Sequence, residues 1–163
     1  MAPPRVMISI DVPGRGALEL ARLVLDVNGT IAEDGHLRPG VKERIARLSR
    51  QLEIVMVTAD TYGRQVSIDR ELDLEATRLE HGKAEAPQKA ALVKKLGSTS
   101  TVAIGNGAND AEMLREAAIG ICVLESEGTS VQALISADAV SRSITEALDL
   151  LLHPRRLVAT LRQ

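Results

Sequence analysis

Short unbroken runs of aliphatic residues alternate along this chain with stretches where apolar positions return every three or four residues. The runs are Leu23-Val24-Leu25, Ile54-Val55-Met56-Val57, Thr101-Val102-Ala103-Ile104 and Ile119-Gly120-Ile121-Cys122-Val123. Continuous runs of this length suit strands buried on both faces, as in a parallel sheet covered by helices. Between the first two, Val41, Ile45 and Leu48 recur at helical spacing with Arg and Lys among them, which predicts an amphipathic helix over residues 39–51. The same reading predicts strands over 53–57, 76–79, 101–104, 119–124 and 139–140, and helices over 62–72, 87–96, 109–116, 130–135 and 144–152. Pro87 is tolerated in the first turn of its helix, and Asn109 or a neighbour is expected to cap the helix that follows. At the start, a strand over 6–12, a Pro13-Gly14-Arg15-Gly16 turn and a returning strand over 18–26 read as a hairpin.

Strands and helices in alternation, joined by short connections, indicate an α/β domain with a mostly parallel sheet and right-handed crossovers. No internal repeat, low-complexity stretch or linker interrupts the pattern, so residues 1–163 read as one domain. Residues 1–5 are expected to be flexible. Pro154 is expected to end the last helix, leaving 154–163 as a basic, solvated tail carrying Arg155, Arg156 and Arg162.

Composition narrows the picture in three ways. The chain is 45% apolar but has no Phe, no Trp and one Tyr, so its core must be packed from Leu, Ile, Val, Ala and Met. That argues against a platform that stacks single-stranded bases on aromatic side chains. A formal net charge of -2 gives no long-range pull toward nucleic acid or an acidic membrane. The single Cys122 precludes an internal disulfide and suits a reducing compartment; set in an apolar run with no adjoining His, Lys or Arg, it reads as a buried structural thiol. The opening apolar stretch is too short for a signal peptide. No run approaches the ~18 apolar residues of a membrane span, and a cytoplasmic location is the expectation.

In an open parallel sheet, ligands bind beyond the carboxyl ends of the strands. Four such places carry polar residues. In Leu25-Asp26-Val27-Asn28-Gly29-Thr30, a buried strand meets a tight turn, where a carboxylate can attack phosphorus and ligate Mg²⁺; Asn-Gly is equally a plain turn signal. Thr58 ends the next strand, so that its hydroxyl and the following amide of Ala59 can donate to phosphate oxygens, or Thr58 can simply cap a helix. Lys89, early in its helix, can neutralise an aspartate and a phosphoryl group together, though Lys83, Lys94 and Lys95 compete and any one Lys is often a solvated surface group. Gly105-Asn106-Gly107-Ala108-Asn109-Asp110 is the most specific stretch. Its glycines allow close backbone approach, and Asn106, Asn109 and Asp110 present oxygen ligands and hydrogen-bonding groups at a helix start. It is not a dinucleotide-binding fingerprint, because Asp110 stands where that motif needs its last glycine. His36, His81 and His153 form no cluster and read as surface residues, with His81 bordering the site as a lesser alternative.

Asp26-Val27-Asn28-Gly29-Thr30, Thr58, Lys89 and Gly105-to-Asp110 resemble, in order, the four motifs of the haloacid dehalogenase superfamily, over residues 18–152. The last motif, followed by Met113-Leu114, is most similar to the phosphorylation domain of P-type ATPases and to phosphoserine-phosphatase-like enzymes, and the whole to stand-alone soluble P-type ATPase-like hydrolases. The resemblance implies a three-layer, Rossmann-like fold with no cap domain. It implies Mg²⁺ as cofactor and an aspartyl-phosphate on Asp26, with Thr58, Ala59, Lys89 and Asn109 holding the phosphoryl oxygens. The cation would be held by Asp26, the backbone carbonyl of Asn28, Asn106 and Asp110. In-line transfer with spread negative charge fits such a site.

Two residues depart from that pattern. Asn28 stands where phosphatases of the superfamily carry an acid that protonates the leaving oxygen. Loss of general acid catalysis, worth roughly 10²–10⁴-fold, predicts poor turnover of alkyl phosphates and smaller losses for acyl or aryl phosphates. Asn106 stands where a metal-binding Asp is usual, which weakens the attraction for a hard cation. A pump is not expected, since membrane spans and a nucleotide-binding insert between Thr30 and Lys89 are both missing. Residues 31–57 are expected to hold one helix, one strand and no lid, leaving a site that cannot exclude water alone; a second subunit or a macromolecular substrate would cover it. The expected activity is a weak or narrow Mg²⁺-dependent phosphohydrolase or phosphotransferase acting on a small phosphorylated molecule or a phosphoprotein. The alternative is a regulatory module that binds phosphate and Mg²⁺ but turns over little.

Overall fold

The computed structural model describes residues 6–60 and 63–163; the expected flexible segment 1–5 lies outside the described residues, as does the expected start of the second helix at Tyr62. The chain opens with a hairpin of β1 (Ile8–Val12) and β2 (Gly16–Leu20), paired from Ile8↔Leu20 to Val12↔Gly16. In β1 the residues alternate between buried and exposed, the period-two pattern of a strand with one face on the core. The single returning strand expected over 18–26 is in fact two. Ala21 donates its N–H to Ser100 and accepts from Glu53 N–H, handing the chain from the hairpin into a second sheet as β3 (Arg22–Asp26).

After β3 come a two-residue hairpin, β4 (Ala32–Glu33) with β5 (His36–Leu37), and then α1 (Val41–Leu48), β6 (Glu53–Thr58), α2 (Gln65–Leu72), β7 (Thr77–Arg78) and α3 (Glu85–Leu96). The second half contributes β8 (Thr101–Gly105), a 3₁₀ turn at Ala108–Asp110, α4 (Ala111–Glu116), β9 (Ile119–Val123), α5 (Val131–Ser136), β10 (Ala139–Ser141), α6 (Ile144–Leu152) and α7 (Pro154–Leu161). Six strands form one parallel sheet in the order β10-β9-β8-β3-β6-β7.

Side-chain alternation explains the layers. Leu23 and Leu25 point to the face packed by α1, α6 and α7, whereas Val24 between them points to the face packed by Val93 of α3, Met113 and Leu114 of α4 and Ala133 of α5. The sheet is thus covered on both sides, which is why its strands read as continuous apolar runs. At Gly120 the sheet approaches α4 so closely that a Cβ would lie 2.3 Å from the Leu114 carbonyl oxygen. No helix among the described residues is long and apolar enough to cross a membrane.

Two expectations need correction and a third is narrowed. The stretch 31–57, expected to hold one helix and one strand, also contains the β4–β5 flap, closed by Asp34 and Gly35 with φ of 50° and 79°. Asp-Gly with two positive φ values is the favoured two-residue hairpin turn, a signal overlooked because each strand is only two residues long. Of Asn109 and its neighbour, Asp110 stands at the N-cap of α4, without a side-chain cap hydrogen bond, while the Asn109 side chain donates to Glu85. The solvated tail is a helix. Pro154 starts α7 rather than only ending α6, as suits a residue lacking an N–H; Leu157 and Leu161, one turn apart, are buried in the core against the hairpin and α6, while Arg155, Arg156 and Arg162 face solvent. Gln163 N–H then donates to Pro13 O.

Leu157→Ala is therefore expected to lower the unfolding free energy by about 2–5 kcal/mol, against no more than about 0.5 kcal/mol for Arg155→Ala. Urea titrations of both variants check this; equal effects would return α7 to the status of a loose tail.

Candidate active site

The sheet order creates the site. From β3 the chain runs outward through β6 and β7, then returns to the opposite side of β3 for β8, β9 and β10. Loops leaving neighbouring strands in opposite directions open a crevice at their carboxyl ends, and Asp26, the last residue of β3, stands there.

Lys89 reaches this point from α3 with its side chain only 1% exposed. Its Nζ lies 2.8 Å from Asp26 Oδ1 and 2.8 Å from Asp110 Oδ1. The other Asp26 oxygen, Oδ2, lies 2.9 Å from the Thr30 hydroxyl, which is also 3.2 Å from Asn106 Oδ1. Asp110 Oδ2 accepts the backbone N–H groups of Asn106 (3.0 Å) and Gly107 (2.9 Å). Gly105 is required for that fold-back, because a Cβ there would come within 2.5 Å of the Asp110 carboxylate. The competing lysines are elsewhere: Lys83 pairs with Glu80, and Lys94 is exposed near Glu116.

Two buried carboxylates share one ammonium. Burial first, and then the negative charge of Asp110, push the Asp26 pKa up from 3.8 to about 7, only partly offset by Lys89 and Thr30. Burial opposes the Lys89 charge too, but Asp26 and Asp110 together outweigh it and raise the Lys89 pKa. Cys122, buried in β9 as expected, has its thiol pushed up to about 11 by burial and by Asp110, which leaves it protonated and unreactive near neutrality.

Asp26, Asn28, Thr58, Ala59, Lys89 and Asn109 all line one cleft of about 280 Å³, at the small end of the range for ligand sites. Thr58 Oγ1 accepts from Asp60 N–H at 3.0 Å and lies 3.5 Å from Asn28 Nδ2. Asn106 lines an adjoining cavity with Asp26 and Asn28. Asp110 is brought to Lys89 but to neither cavity; it has no exposed surface, so it acts on the cleft through Lys89. His81 is exposed and lines neither cavity. Sequence reasoning missed Asp34 and Gly35 of the flap, and Glu85 and Glu127, all of which line the cleft. Glu85 stands four residues before Lys89, hence on the same helix face. Glu127 follows the end of β9, where the strand-end rule would have found it.

Residues 11–118 match the family model described as "Hydrolase: haloacid dehalogenase-like hydrolase". An uncharacterized protein of Methanocaldococcus jannaschii is 45% identical over 71 residues, 44% of this chain and 76% of that protein. A copper-transporting ATPase of Oryza sativa subsp. japonica is 37% identical over 118 residues, 71% of this chain but only 11% of the ATPase, so the chain corresponds to a small part of that relative. Among solved structures, 3-deoxy-D-manno-octulosonate 8-phosphate phosphatase of Moraxella catarrhalis, in complex with magnesium ion, phosphate ion and a KDO molecule, superposes with a TM-score of 0.61 at 18% identity, covering 88% of this chain and 94% of that one.

Lys89→Met should cost about 3–5 kcal/mol, because it leaves two buried carboxylates without their counter-ion. Asp26→Asn keeps the Lys89–Asp110 pair and should change stability by less than about 1 kcal/mol. Urea unfolding near neutral pH with chelator present measures both; a Lys89→Met penalty no larger than that of Asp26→Asn would remove Lys89 from between the carboxylates.

Proposed function

Since the chain belongs to the haloacid dehalogenase-like hydrolase family, we propose that it is a phosphatase or phosphotransferase whose nucleophile is Asp26, forming an aspartyl-phosphate. The observation that carries this reading is the convergence of Asp26, Thr58 and Lys89 on one cleft, with Asp110 behind Lys89. The reading treats residues 1–163 as one domain.

In this reading the Asp26 carboxylate, which lines the cleft, attacks phosphorus through the oxygen that is not paired with Lys89. Lys89, held in place by Asp110, offsets the negative charge that accumulates as Asp26 and the phosphoryl group approach each other. The Thr58 hydroxyl, the Ala59 N–H and the Asn109 amide hold the equatorial oxygens. The Glu85 carboxylate, which accepts from Asn109 Nδ2 at 2.5 Å, orients that amide.

The donor chemistry suits a hard divalent cation. Two buried carboxylates face one ammonium, and burial together with the Asp110 charge raises the Asp26 pKa, so the charged form gains from a further cation. Mg²⁺ would be held by Asp26, the Asn28 carbonyl and the Asn106 side of the adjoining cavity, with Asp110 contributing its charge from behind. When bound it supplies charge neutralisation for the phosphoryl oxygens. The magnesium and phosphate of the Moraxella phosphatase complex support the same choice.

Asn28 sets the limits of the activity. An amide cannot give and retake a proton near neutral pH, so the leaving group must depart unaided. Acyl and aryl phosphates meet that condition better than alkyl phosphates. The same residue favours a second reading, a phosphate- and Mg²⁺-binding regulatory module. The exposed rim, which includes Asp34 and Glu127, leaves room for a small phosphorylated molecule or a phosphoprotein, and a second copy of the chain could serve as cover.

With Mg²⁺ present, wild type is expected to hydrolyse an acyl and an aryl phosphate, Asp26→Asn to hydrolyse neither, and Asn28→Asp to accelerate alkyl phosphate hydrolysis by roughly 10²–10⁴-fold. Equal, slow phosphate release by wild type and Asp26→Asn would leave only the regulatory module.

A further inference from the structure

Asn106 carries no charge, and its side chain is already engaged. Nδ2 donates to Gly29 O at 3.0 Å and to Gly128 O at 3.1 Å, while Oδ1 faces the Thr30 hydroxyl. The amide is a clasp joining the loop after β3 to the loop after β9. A carboxylate has no N–H to donate to two carbonyls, so the clasp requires Asn where a charged ligand would be of more use to a cation.

The clasped loop carries a carboxylate of its own. Glu127 sits one residue before Gly128, and its Oε2 lies over Gly29, 2.6 Å from where a Cβ on that residue would be. Gly29 has φ +81° and no side chain, which leaves that space to the Glu127 carboxylate. Glu127 lines both the cleft and the adjoining cavity, each together with Asp26 and Asn28. Its loop is anchored at several points: Ser130 N–H donates to Asn106 O at 2.9 Å, Gly128 N–H to Glu125 O at 2.9 Å, and the Thr129 hydroxyl to Val123 O at 2.8 Å. Neighbouring Glu125 is taken up by Arg38 (3.3 Å) and by Ile144 N–H (2.6 Å). Among the described residues, no Lys, Arg or His pairs with Glu127.

We propose that Glu127 is a metal-directed residue: together with Asp26 it supplies the carboxylate charge for the divalent cation that Asn106 does not. The inference rests on the phosphotransfer reading above and adds to it a residue from a different loop. Asn106 then contributes by position, holding the Glu127 loop against Gly29.

The test is direct Mn²⁺ binding, followed by the electron paramagnetic resonance signal of the free ion, without any turnover. Glu127→Gln is expected to weaken Mn²⁺ binding roughly 10- to 100-fold, with an unchanged urea midpoint because the residue is exposed. Glu112→Gln, an exposed change on α4, is expected to bind as wild type does. Equal affinities for wild type and Glu127→Gln would overturn this inference while leaving the phosphotransfer reading in place. If wild type itself takes up no Mn²⁺, the metal-dependent reading fails, and the role of Glu127 fails with it.

Discussion

The Lys89 ammonium, held between the Asp26 and Asp110 carboxylates, is the contact on which the rest of the site depends. A buried ammonium is tolerated only when paired and hydrogen-bonded, and here each carboxylate comes from a different part of the chain: the end of β3 and the 3₁₀ turn after β8. The lysine itself comes from α3. One cation thereby fixes the separation of three elements that meet nowhere else in sequence. The arrangement sets two carboxylates against one ammonium, and burial first, with the Asp110 charge second, raises the Asp26 pKa. A buried site short of positive charge is where the proposed uptake of a cation would bring the largest gain.

The sheet holds that contact in place. β3 is central, with β6 on one side and β8 on the other, and its residues 22–25 pair with both neighbours. Without Phe or Trp, close packing rests on branched aliphatic side chains and on points where backbone approaches backbone, such as Gly120 against Leu114. The hairpin and α7 complete the larger of the two core layers. Cys122 belongs to the smaller one and to no chemistry.

Charge around the cleft is distributed unusually. Amides line the cleft and its adjoining cavity at Asn28, Asn106 and Asn109, and the acidic groups not committed to Lys89 sit on the rim at Asp34, Glu85 and Glu127. The amides do structural work that carboxylates would do poorly. Asn106 bridges two carbonyls, and Asn28 turns its Nδ2 toward the Thr58 hydroxyl. Hydrogen-bond donors at these places join loops where acids would push them apart.

Local pattern was enough to read the parallel α/β architecture, since runs buried on both faces and helices of regular period are properties of short segments. Asp26, Thr58 and Lys89 were legible too, because each stands next to the end or start of such a segment and strand ends are where ligands bind. Other features depended on contacts between segments distant in sequence. The break of 18–26 into two strands follows from Ser100 and Glu53 capturing Ala21. Leu157 and Leu161 form a buried helix because the hairpin offers them a surface. The withdrawal of Asp110 behind Lys89, and the seating of Glu127 over Gly29, arise from hydrogen bonds spanning 21 residues in one case and 77 in the other. A sequence determines which segments can bury their faces and which residues end them; which of those ends meet, and therefore which carboxylate paired with the lysine also lines the cleft, is decided only when the layers close.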